Sequence, residues 1–66
     1  MQVTLNGQPY EVDESTSAER LLEKLELSGQ RLAFLLDDEV VRRADFPETQ
    51  LSEGCRVEIV QMVGGG

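Results

Sequence analysis

A single cysteine, Cys55, and no histidine set the first limits on this chain. One thiol cannot close an internal disulfide or run a two-sulfur redox cycle, and a [2Fe–2S] cluster needs more thiolates than one. With no imidazole to activate it, Cys55 reads as a small apolar filler, and it falls on the inward side of the last predicted strand. A lone thiol without a disulfide framework fits a reducing compartment. Length is scarce as well. Sixty-six residues bury one helix against one small sheet and leave hardly enough chain to wall a deep catalytic cleft. That points toward a carrier, binding module or inhibitor rather than an enzyme.

Other features are missing altogether. No apolar run approaches the length that crosses a bilayer. The opening Met1-Gln2-Val3-Thr4-Leu5-Asn6-Gly7 lacks the basic flank and apolar stretch of a signal peptide, so the expected location is the cytoplasm. There is no G-x-x-x-x-G-K-[ST] and no G-x-G-x-x-G. Any step that consumes ATP must therefore be supplied by another protein, and no bound cofactor is expected. Basic residues are few: six against thirteen acidic ones give a formal charge of −7. Such a surface repels phosphate, which excludes nucleic acid and anionic membrane as partners and favours basic protein surfaces. Asp37-Asp38-Glu39 reads as a solvated turn, because three consecutive carboxylates rarely converge on one metal ion. The helix acids Glu19 and Glu23, one turn apart beside Arg20 and Lys24, read as a solvated face.

What is present is periodic. Met1, Val3 and Leu5 alternate with Gln2 and Thr4, the signature of a half-buried strand. Asn6-Gly7 follows, and both residues tolerate the positive φ of a tight hairpin turn. Alternation resumes with Tyr10 and Val12 inward and Glu11 and Asp13 outward. The period then changes. Ala18, Leu21, Leu22 and Leu25 fall on one helical stripe, with Thr16 and Glu19 as its predicted capping box and Gly29 as its predicted left-handed stop. Leu32 to Leu36 is a wholly apolar strand, Val40-Val41 a brief return strand, and Ala44 to Leu51 an irregular stretch with Phe46 and Leu51 plugging the core. The last strand, Cys55 to Met62, sets Cys55, Val57 and Ile59 against Arg56, Glu58, Val60 and Met62. The fold class is α+β: a roll with one main helix packed on one face of a sheet of four to five strands.

The chemistry is expected in the tail. Residues 1–62 read as the folded domain and 63–66 as a flexible tail, Val63-Gly64-Gly65-Gly66. Without side chains, the glycines can thread a channel only as wide as bare backbone. The terminal carboxylate sits on an unhindered carbon. A carboxylate is a poor electrophile, but as a mixed anhydride with AMP it has a good leaving group that a sulfur nucleophile can displace. Val60 and Met62 lie immediately before this tail on the outward side of the strand, where apolar side chains suit a docking patch and Met suits a surface shared by several partners.

The whole chain resembles the ThiS family, sulfur carriers of thiamine thiazole biosynthesis within the ubiquitin-like β-grasp group. Three stretches carry the resemblance: Val3-Thr4-Leu5-Asn6-Gly7; Glu39-Val40-Val41-Arg42-Arg43-Ala44-Asp45-Phe46; and Leu51-Ser52-Glu53-Gly54 leading through Val57-Glu58-Ile59-Val60 to Val63-Gly64-Gly65-Gly66. The chain departs from the pattern at Asp37, Arg42, Phe46 and Cys55, in turns and packing rather than in the tail. The resemblance implies a β-grasp roll with a mixed sheet. It also implies that a ubiquitin-activating-like adenylyltransferase uses ATP to adenylate Gly66, next to Gly65. Sulfur drawn from a cysteine desulfurase then gives a thiocarboxylate that thiazole synthase consumes, with Val60, Met62, Val63 and Gly64 as the partner-binding residues. The chain is then a protein co-substrate, not an enzyme. Three alternatives stay open: the same chemistry serving molybdopterin or cysteine synthesis, a ubiquitin-like modifier joined to lysine through Gly66, and a plain interaction domain with an idle tail.

Overall fold

The N-terminal alternation becomes a hairpin, β1 (Gln2–Leu5) and β2 (Gln8–Glu11), with Val3 opposite Tyr10. Asn6 and Gly7 turn it with φ of 49° and 83°. These values come from a computed structural model, which describes residues 1–62. The helix α1 (Ala18–Lys24) follows, then β3 (Leu32–Leu36), β4 (Glu39–Val41), a 3-10 helix (Arg43–Glu48) and β5 (Arg56–Gln61). The strands form one five-stranded sheet in the order β2-β1-β5-β3-β4. The last strand in sequence is thus the central one. It runs parallel to β1 through Thr4–Arg56 and Leu5–Val57, and antiparallel to β3 through pairs from Leu36–Val57 to Leu32–Gln61. This is the β-grasp roll, and the sheet is mixed because of the single parallel pairing.

The helix covers one face. Ala18, Leu21 and Leu22 are buried, and Leu25 packs at the margin of the core. Phe34, Leu21, Val3 and Val57 are the largest side chains with no access to solvent, each contributing on the order of 1.5–3 kcal/mol by leaving water. Phe46 and Leu51 close the open end of the core as expected. The Phe46 ring meets that of Phe34 at a centroid distance of 5.5 Å. The stretch around Pro47 is a 3-10 helix rather than irregular chain.

Two helix-end expectations are corrected. The cap is Ser17, not Thr16: its hydroxyl accepts the Arg20 N–H at 3.1 Å. The helix starts one residue late because Thr16 is engaged elsewhere. Its carbonyl accepts the Leu51 N–H, its hydroxyl donates to the Asp13 carbonyl, and Ala18 N–H donates to Thr49. The stop is Glu26, not Gly29. Glu26 has φ of 61°. Its N–H donates to the Glu23 carbonyl and that of Leu27 to Leu22, the two bonds of a Schellman motif. Gly29, also left-handed with φ of 82°, belongs to the next turn, in which Gln30 N–H donates to Leu27.

Candidate functional site

Because one helix covers one face, the other face of the sheet stays open, and strand alternation decides what it carries. Cys55, Val57 and Ile59 point under the helix and are buried, while Arg56, Glu58, Val60 and Met62 point away and are exposed. Register builds a patch from neighbours. Leu35 of β3 lies between Glu58 of β5 and Val40 of β4, and one step along Ala33 lies beside Val60. Met62 donates its N–H to the Arg31 carbonyl at 3.0 Å. Val40, Val60 and Met62 are the exposed large hydrophobic residues of the described chain, at 69%, 56% and 56%. Leu35 and Ala33, half-buried between them, make the patch continuous.

The strand beneath the patch is firmly held. Beyond Leu5, where β1 turns away, the Asn6 side chain continues the pairing: its Oδ1 accepts the Ile59 N–H at 2.8 Å and its Nδ2 donates to the Ile59 carbonyl at 3.4 Å. At the other end the turn after β3 grips β5. Asp37 and Asp38, with φ of 50° and 72°, direct their carboxylates onto Arg56. Asp37 accepts its backbone N–H at 2.9 Å and Asp38 pairs with its guanidinium. These two acids thus have a structural task in an exposed turn.

Of the residues expected to act, Val60 and Met62 stand side by side on the open face. Val63, Gly64, Gly65 and Gly66 lie outside the described residues. Cys55 is buried, and its carbonyl accepts the Thr4 N–H. Val40 was not foreseen. It read only as part of a brief strand, and the signal that exposes it, its pairing with Leu35 on the outward side, is a register that local sequence does not carry. The patch offers valine, leucine, alanine and methionine. Such side chains bind; they do not react. No helix among the described residues is long and apolar enough to cross a membrane.

Comparison with known proteins agrees over the full length. The ThiS family model matches residues 3–66. The crystal structure of the thiamine biosynthesis protein ThiS from Geobacter metallireducens superposes with a TM-score of 0.85 at 35% identity, covering 100% of both chains. The uncharacterised protein ycf40 of Porphyra purpurea is 30% identical over 97% of this chain and 90% of its own. A thiazole synthase of Magnetococcus marinus is 32% identical over 100% of this chain, which spans only 20% of that protein.

Proposed function

The chain belongs to the ThiS family, and from that premise we propose that it is a sulfur carrier of thiamine thiazole formation, a co-substrate whose reacting group is the Gly66 carboxylate. In the first step a carboxylate oxygen attacks the α-phosphorus of ATP on a partner adenylyltransferase, and pyrophosphate leaves. In the second, a persulfide whose outer sulfur comes through a cysteine desulfurase attacks the acyl carbon, AMP leaves with the oxygen, and a thiol cleaves the resulting acyl disulfide to release the tail and form a new disulfide. The product is a thiocarboxylate, which thiazole synthase takes up. Val60, Met62, Val63 and Gly64 seat the chain on these enzymes, and Gly65 keeps the approach to Gly66 free of side chains.

The observation that carries this reading is the extent of the family match. It runs through residue 66 and so includes the three glycines as well as the fold. Two thiazole synthases contain a stretch resembling the whole chain, which supports thiazole synthase as the acceptor over molybdopterin or cysteine synthesis. The architecture supports the division of labour. A central strand held on both edges is a firm base for a terminus that must be presented, and the open apolar patch lies beside its exit.

The test is intact-protein mass before and after incubation with ATP, magnesium, cysteine and extract of the source organism. The expected result is a gain equal to the sulfur-for-oxygen difference, absent when Gly66 is deleted, with thermal unfolding of the two forms unchanged. Conjugates to other proteins that survive denaturation would replace this reading with the modifier. No change in an extract that activates another carrier would leave a binding domain with an idle tail.

A further inference from the structure

The net charge of −7 points to basic partner surfaces, but the charge beside the tail's exit has the other sign. Four of the six cations are engaged within the fold. Arg20 pairs with Glu23, and Arg56 with Asp38. Lys24 donates to the Glu11 carbonyl and lies over the Tyr10 ring. Arg43 donates to the Gln30 carbonyl at 2.7 Å. The remaining two, Arg31 and Arg42, are exposed. Neither guanidinium has an ion-pair or hydrogen-bond partner among the described residues.

Their placement is shared. Met62 donates its N–H to the Arg31 carbonyl, which sets Arg31 across from the last described residue of the central strand. Arg42 follows β4 directly with an extended backbone, φ −76° and ψ 148°; the β3–β4 register, whose last pair is Phe34–Val41, carried one residue further sets it toward Ala33, the neighbour of Val60. Val41 faces the core and Val40 the open side, and alternation puts Arg42 on the open side with Val40. Two unpaired guanidinium groups therefore border the Val40–Val60–Met62 patch at the end where the chain leaves the sheet. Glu58 shares this face beside Leu35, but it forms no ion pair with either guanidinium, so both remain open to a surface that brings carboxylates to them.

We propose that Arg31 and Arg42 form a cationic rim on the apolar patch, and that this end of the open face docks on a partner surface in which an apolar patch is bordered by Asp or Glu carboxylates. The inference rests on the carrier reading: the partner is the adenylyltransferase that takes up the tail. The acidic remainder of the molecule then repels that same surface. Only the tail-exit end is attracted, which orients the encounter. Guanidinium suits the task because it is weakly hydrated and pairs with carboxylates through two parallel bonds.

The experiment measures the chain concentration that half-saturates ATP-dependent thiocarboxylate formation in extract of the source organism, at low and high KCl. It compares wild type, R31E/R42E and R31K/R42K, with thermal unfolding as the check on fold. The expected result is a rise of about 30-fold or more for R31E/R42E at low salt, shrinking as salt screens the charges, and about threefold or less for R31K/R42K. Equal half-saturation and equal salt dependence for wild type and R31E/R42E, with wild type forming thiocarboxylate normally, would overturn the rim and leave the carrier reading intact. Failure of wild type to form thiocarboxylate would overturn the carrier reading and the rim with it. A second measurement separates a protein partner from a free anion. Backbone amide signals of Arg31 and Arg42 that move on titration with inorganic phosphate or AMP would identify a phosphate site and overturn the proposal; unmoved signals are expected.

Discussion

Val57 and Val60 have identical side chains on one strand three residues apart, and they live under different rules. Val57 has no solvent exposure and packs beneath the helix, whereas Val60 is 56% exposed on the open face. The same contrast separates Phe34 from its open-face neighbours Leu35 and Val40. The one α-helix among the described residues covers one side of the sheet. The covered side holds the fold together. The open side gains nothing for stability from leaving three large apolar side chains in water, so their concentration beside the strand's end calls for a partner that covers them.

The contrast breaks most severely on the covered side. Phe34→Ala removes a ring with no solvent exposure that also abuts Phe46, and should cost about 3–5 kcal/mol. In a domain this small that is a large part of the total stability, and urea unfolding should show the midpoint collapsing. The open side should answer in the opposite way. Val60→Asp with Met62→Asp should lower the unfolding free energy from urea titration by only about 1 kcal/mol, the strand-propensity cost of Asp rather than a burial loss. Half-saturation for thiocarboxylate formation should rise about tenfold or more, because two carboxylates are then buried against an apolar partner surface. A variant pair that loses as much stability as Phe34→Ala but keeps half-saturation would reverse the assignment of the two faces.

Much of this division was legible from residue order alone, because a strand's two-residue period and a helix's near four-residue period are local. The Ala18–Leu21–Leu22 stripe, the Asn6-Gly7 turn and the inward set Cys55, Val57 and Ile59 all follow from spacing. What was not legible depends on residues far apart. The parallel pairing of β1 with β5 joins the two ends of the chain. The exposure of Val40 depends on its register with Leu35. Arg31 and Arg42 look no different in sequence from Arg20 and Arg56, and only their lack of a side-chain partner among the described residues distinguishes them. In the candidate site, the exposure of Val60 and Met62 could be read from parity, but the breadth of the patch could not, and the glycines lie outside the described residues.

The helix start is the clearest case of a distant contact overriding a local signal, and it sharpens the comparison at smaller scale. Thr16 satisfies the capping pattern on paper, yet its carbonyl is taken by Leu51 and the buried Ser17 becomes the cap. Ser17→Ala should therefore cost about 1 kcal/mol, while Thr16→Val should not lose a helix cap. Chemical denaturation of the two variants checks the ranking, and a larger loss from Thr16→Val would restore the local pattern as the determinant.

The smallest expected effect is a gain. Glu26 holds the left-handed position of the Schellman motif with φ of 61°, a conformation that costs a residue with a Cβ about 1–2 kcal/mol. Glycine removes that strain but returns conformational freedom to the unfolded chain, which offsets about 0.4–1 kcal/mol. The substitution also removes an acid from the negative end of the helix dipole in a chain already at −7. The favourable terms exceed the opposing one, so Glu26→Gly should stabilise by about 0.5 kcal/mol and raise Tm by about 2–4 °C. Gly29→Ala supplies the control, since its φ of 82° makes the same arithmetic run backwards. Calorimetry that shows both variants moving Tm in the same direction would mean that the helix ends by packing rather than by its left-handed residue.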